Sequence, residues 1–164
     1  MIRLFFLSAL IACFASFATA QTANISLGTS GFDSTAPVEV TADELSVDQA
    51  NGQAVFNGNV LVVQGDVRMS AGQVTIEYAA EGAENGISRL IASNGVTFVT
   101  PADAAEAREA VYSVANATVT LNGDVLLTQG QNAIGGDRLT VDLTSGVGQI
   151  EGRVRTIFNA GGGN

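Results

Sequence analysis

The sequence predicts an all-β fold, a sandwich, barrel or roll made of stacked hairpins. Three observations carry that expectation. From Pro37 onward apolar residues alternate with polar ones in period two, as in "VEVTADELSVD" (38–48). Glycine, asparagine and aspartate punctuate the pattern about every 8–12 residues, the spacing of short strands joined by tight turns. The stretch "FNGNVLVVQG" (56–65) returns as "LNGDVLLTQG" (121–130), identical at six of ten positions. A catalytic motif rarely needs duplicating. Stacked β-architecture repeats its unit because each hairpin must cover its neighbour's apolar face.

The elements follow in order. Residues 1–20 read as a secretory signal, with Arg3, an apolar run from Leu4 to Phe17, and small residues at Ala18 and Ala20. That run is shorter than the roughly 18–20 apolar residues a spanning helix needs, so release after Ala20 is expected. Leu10-Ile11-Ala12-Cys13 also resembles a lipoprotein box, but cleavage there would leave a very short apolar core. Residues 21–36, small and polar without a period, read as a loose leader. The domain proper spans 37–158 and 159–164 form a tail. Within the domain, strands are predicted in 38–48, 53–58, 59–65, 66–73 and 74–78, and again after the acidic loop 79–88. "ADAAEAREA" (102–110) is expected to be a loop or a turn or two of helix. The repeat extends downstream, with Val74-Thr75-Ile76-Glu77 matched by Leu139-Thr140-Val141-Asp142. Gly58, Gly95, Gly123 and Gly152 each precede an apolar strand and read as hairpin turns, where positive φ is cheap for glycine.

Composition removes most functions. The only cysteine, Cys13, leaves with the signal, so no disulfide holds the exported chain. Six arginines then face sixteen acidic residues, with no lysine and no histidine, a balance that repels nucleic acid. Without histidine, cysteine or lysine no common nucleophile–base pair can be assembled, and a zinc site would need four carboxylates. Only an acid pair remains, for which Asp43-Glu44 or Glu106 and Glu109 could be nominated. Such side chains at turns and strand ends are usually solvated, so no catalysis, cofactor or metal is expected. Asn24-Ile25-Ser26 and Asn116-Ala117-Thr118 match a glycosylation sequon that is a frequent chance match.

Residues 37–78 resemble the opening half of the OstA-like family of periplasmic lipopolysaccharide-transport bridge proteins. The likeness rests on "F-x-G-N-V-x-V-x-Q-G", the upstream "A-D-x-L-x-x-D" and the downstream "V-x-I". The second half continues it with "GVTFVT" (95–100), "AVYSVANATVTLNGDVLLTQG" (110–130), "GGDRLTVDL" (135–143) and "GRVRTIF" (152–158). The resemblance implies an open, twisted antiparallel β-jelly roll, V-shaped in section, that shields lipid A acyl chains and does no chemistry. It implies end-to-end association, and docking to jelly-roll domains at the inner and outer membranes, by β-augmentation.

Family positions regarded as lipid-facing match Val38, Phe98, Tyr112 and Val114. Alternation along the strands adds Val40, Phe56, Val62 and Leu121 to the same inner face. The partner-pairing edges are expected around Val38 and Val40 at one end and around Val154, Thr156 and Phe158 at the other. Two readings stay open beside this one: a sister component of the same system held in the inner membrane by an uncleaved helix, and a structural or adhesive β-roll.

Overall fold

The structure, a computed structural model, describes residues 22–29, 31–48, 50–79 and 86–158. The expected signal segment with Cys13, the tail 159–164 and most of the acidic loop lie outside the described residues.

Alternation does become strand throughout. The described residues form one twelve-stranded sheet with every pairing antiparallel. The strands are β1 (Thr22–Ser26), β2 (Glu39–Thr41), β3 (Glu44–Asp48), β4 (Gln53–Gln64), β5 (Val67–Tyr78) and β6 (Ile87–Val99). They continue as β7 (Asp103–Ala107), β8 (Glu109–Ser113), β9 (Thr118–Gln129), β10 (Asn132–Asp142), β11 (Val147–Glu151) and β12 (Arg155–Ile157).

The long strands do not run straight. Pairing slips at Asn57/Val60 in β4, at Ala71/Gln73 in β5 and at Gly136/Arg138 in β10. Each slip is a bulge, which bends and twists a strand. The bulges line up across the sheet and crease it into two facing arms. The first arm holds β3, the starts of β4, β6 and β9, the ends of β5 and β10, β8, β11 and β1. The second holds β2, the complementary halves of the five long strands, β7 and β12.

This crease corrects the expectation of hairpin turns at the repeated Asn-Gly sites. Gly58 (φ 76°) lies inside β4 and Gly123 (φ 80°) inside β9, followed by Asn59 and Asp124 at φ 45° and 48°. Side-chain-bearing residues avoid that region, and asparagine and aspartate tolerate it best, which explains why Asn59 is exchanged for Asp124 within the repeat. The chain reverses elsewhere, at Gly65-Asp66 between β4 and β5 and at Gly130-Gln131 between β9 and β10. The duplicated sequence therefore encodes the same creased hairpin twice, β4–β5 and β9–β10.

Two other expectations are overturned. Part of the supposed loose leader is folded: β1 pairs with β11, and Leu27 and Thr29 are buried. Its few apolar residues, too sparse to show a period, are the ones that dock. Within and just after 102–110 lie two strands, Asp103–Ala107 and Glu109–Ser113, each pairing with both β6 and β9. Alanine favours helix alone, but the flanking strands leave a gap that only another strand fills.

Candidate functional site

The inner faces of the two arms are apolar in continuous cross-strand rows. On the first arm one row passes through Leu45, Phe56, Val74, Ala92, Ala110 and Leu121 in direct register. On the second, Val40, Val62, Met69, Phe98, Ala105 and Leu127 are likewise opposed. All eight residues expected on the inner face belong to or pack against one core: Val62, Phe98, Tyr112 and Leu121 are buried, and Val38, Val40, Phe56 and Val114 partly so. Tyr78, which alternation also points inward, is instead exposed at the end of β5.

A buried polar contact joins the arms across the interior. Tyr112 on the first arm donates its hydroxyl to Gln64 Oε1 on the second at 2.5 Å. Burial pushes the Tyr112 phenol up to about 12, because the anion would lose its hydration there. Gln64 Nε2 in turn donates to the carbonyls of Ser34 (3.2 Å) and Ala36 (2.9 Å). Its repeat counterpart Gln129 donates to Ser26 O at 2.7 Å. Neither glutamine was singled out from the sequence, although both sit in the repeated Gln-Gly pair. Their value emerges only once the distant segment they hold is in place.

The described parts of that segment, 27–29 and 31–36, contact both arms. Leu27 N donates to Gly146 O at the tip of the first arm, and Gly28 N to Asp103 Oδ2 at the tip of the second. Phe32 enters between the arms beside Val62, Phe98, Tyr112 and Leu143, leaving a residual cavity of only about 20 Å³. Beyond this strap the mouth is open. A groove of about 700 Å³ lies between Ala36–Val38 on one side and Ile87 and Val114–Ala117 on the other. A second, of about 370 Å³, is bounded by Val40, Leu45 and Phe56 where the inner rows reach the β2/β3 end.

Among the described residues both ends of the sheet carry free edges. β2 and β3 lie in line on β4, and the inner-row residues Leu45 and Val47 are 54% and 61% exposed. At the other end β12 lies on β10, with Ile157 and Phe158 exposed. Of the residues expected at these edges, Val40 and Thr156 are within edge strands, whereas Val38, Val154 and Phe158 flank them. Of the nominated acids, Asp43 accepts from Asn59 at 2.7 Å, and Glu44, Glu106 and Glu109 are exposed. Among the described residues no group of acidic side chains is placed to hold a metal ion, and no helix is long and apolar enough to cross a membrane.

A family model described as LptA/(LptD N-terminal domain) LPS transport protein matches residues 39–147, from β2 to the start of β11. The chain belongs to this family. Among relatives of this LptA-like chain, an uncharacterized protein of Rhizobium meliloti (strain 1021) is 32% identical over 128 residues, covering 73% of this chain and 69% of the relative. The lipopolysaccharide export system protein LptA of Escherichia coli (strain K12) is 30% identical over 115 residues, covering 66% of this chain and 60% of that protein. The crystal structure of LptH from Pseudomonas aeruginosa, the LptA-homologous periplasmic component of a lipopolysaccharide transport device, superposes with a TM-score of 0.65 at 19% identity. That match covers 77% of this chain and 98% of LptH. The jelly-roll fold expected from the sequence is thus the fold of the LptA-like family.

Proposed function

We propose that this protein carries lipopolysaccharide in the periplasm, sheltering lipid A acyl chains between its two arms, and bridges jelly-roll partners at the inner and outer membranes without catalysing a reaction. The observation that carries this reading is that the apolar inner rows run uncovered to the β2/β3 end and to the open mouth at Val38 and Val114. Ordinary cores are closed at their ends. Each CH₂ withdrawn from water contributes roughly 0.8 kcal/mol, so a few acyl chains bind firmly despite an acidic surface whose repulsion of phosphates is screened by salt. The headgroup stays in solvent. Val38, Val40, Phe56, Val62, Phe98, Tyr112, Val114 and Leu121 are the residues assigned to acyl contact, with the first three and Val114 met first by an entering chain.

Export, with the signal removed after Ala20, fits the periplasmic setting of LptH. Assembly by edge pairing fits the two free ends, since an open edge presents unpaired N–H and C=O groups.

Photocrosslinking residues at Val38, Phe56 and Val114, compared with the outward-facing Leu61 and Leu126, test this in cells. Lipopolysaccharide adducts are expected at the first three. Equal labelling at the outward pair, or none inside, would refute the reading.

A further inference from the structure

The two arms do not end level. Counting along the pairings among the described residues, the second arm has eight strands, from β2 to β12. The first has nine, from β3 through β11 to β1. The extra strand is β1, the amino-terminal segment laid along the outer edge of β11.

Directions make that position informative. Because every neighbour is antiparallel, the strand beyond β11 must run as β3 does, and β1 does so. Likewise, a strand added beyond β12 must run as β2 does. A second copy set end to end, with its β2 on β12, brings its own β3 to the outer edge of β11. The direction is right on both arms, because β2 and β3 are in line on one β4. β1 already occupies that place. It also matches β3 in length, five residues each. With β1 present, the incoming β3 would meet a strand running parallel to itself and one strand-spacing, about 4.8 Å, too far out.

We propose that β1 is a displaceable placeholder for β3 of a second copy, so that end-to-end pairing across both arms requires the amino-terminal strand to leave β11. This rests on the edge-pairing part of the function proposed above. The exchange is nearly balanced: a five-residue ladder is broken and a five-residue ladder is made. The attachments of β1 are compatible with release. Its outward residues Asn24 and Ser26 are exposed, and it is fastened beyond the ladder by Gln129 to Ser26 O and by Leu27 N to Gly146 O. Gly148 makes the seat, since a Cβ there would stand 2.4 Å from Leu27 Cδ1 and 2.9 Å from Ile25 Cγ1. As a tethered competitor β1 acts at an effective concentration of order millimolar. It therefore holds free copies apart at low concentration and yields where copies are gathered. With β1 seated, only the three-residue β2 and β12 remain to pair.

The test uses Asn24→Cys with Gln149→Cys, an exposed pair directly opposed across β1 and β11, in an exported chain otherwise free of cysteine. Sedimentation of the oxidised form, with β1 locked, is compared with the reduced form and with a deletion of 21–27. The reduced and deleted forms should associate at least about tenfold more tightly than the locked one. On association, hydrogen exchange in the reduced form should show 22–26 losing protection and 44–48 gaining it. Equal association of locked and reduced forms, or continued protection of 22–26 in the assembly, overturns the placeholder. If such association still disappears on deleting 153–164, edge pairing itself stands and only the role of β1 falls. Absence of association in all three forms overturns both.

Discussion

Tyr112 and Gln64 lie 48 positions apart in sequence, yet their hydrogen bond is a buried polar tie between the arms. Tyr112→Phe leaves Gln64 Oε1 buried without that donor, and loss of a partner inside a core costs about 1–3 kcal/mol. Urea unfolding should show a loss of that size, with the fold retained because the ring still fills its site. The same phenol makes stability pH-dependent. Its folded pKa is raised to about 12 from 10.0. Below pH 10 both states hold the proton and the contribution is fully present. Between pH 10 and about 12 the unfolded chain releases its proton first, so stability falls as pH rises. Unfolding midpoints across that window should decline more steeply in the wild type than in Tyr112→Phe. Parallel declines would show that the phenol is solvated. Phe32, the side chain inserted between the arms, belongs to the same neighbourhood. It was invisible in sequence because a single aromatic in a polar stretch has no period to place it.

The creased strand is the unit of construction. At Gly58 an added Cβ would stand 2.5 Å from Asp43 Oδ2, and at Gly123 it would stand 3.0 Å from Arg108 Cδ. Both also need a positive φ. Gly52 shares the positive φ (60°) but has open space around it. Gly52→Ala should therefore cost about 1 kcal/mol from backbone conformation alone. Gly58→Ala and Gly123→Ala should cost more, about 2–3 kcal/mol, because the Asp43 or Arg108 side chain must also move. Chemical denaturation of the three variants checks the order, and equal losses would remove the packing part of the argument. The repeat extends to the polar residues at the crease. Gln73 donates to Asn57 at 2.8 Å in the first copy, and Arg138 donates to Asn122 at the same distance in the second. The repeat was legible as a repeated strand. Its bend was not, because Asn-Gly favours a hairpin turn and a bulge equally through the same φ.

At the scale of the molecule, the two ends decide behaviour. Sheets normally protect their edges, yet Leu45, Val47, Ile157 and Phe158 are exposed at them. Contact between unlike edges does not close on itself, so association should grow with concentration rather than stop at a dimer. Deleting residues 153–164 removes β12, and light scattering over a wide concentration range should then report a monomer. Association as strong as that of the intact chain would place the contact elsewhere.

What the sequence determined by itself was local and periodic. Alternation at Val38–Val47, Phe56–Val62 and Val119–Leu127 made strands, chose which side chains share a face, and duplicated one hairpin; with no histidine, no lysine and a single cysteine, the chain has no disulfide of its own and burial holds it. Period-two patterning suffices for this because each residue's face depends only on its immediate neighbours. Tertiary structure decided the rest. It made Asp103–Ala107 and Glu109–Ser113 strand through pairing on both sides, turned the Asn-Gly sites into a crease, brought Gln64 to Tyr112, and folded 22–29 and 31–36 back as edge strand and strap. Each of these outcomes depends on groups outside the local pattern, whose proximity exists only after the sheet has closed over its own core.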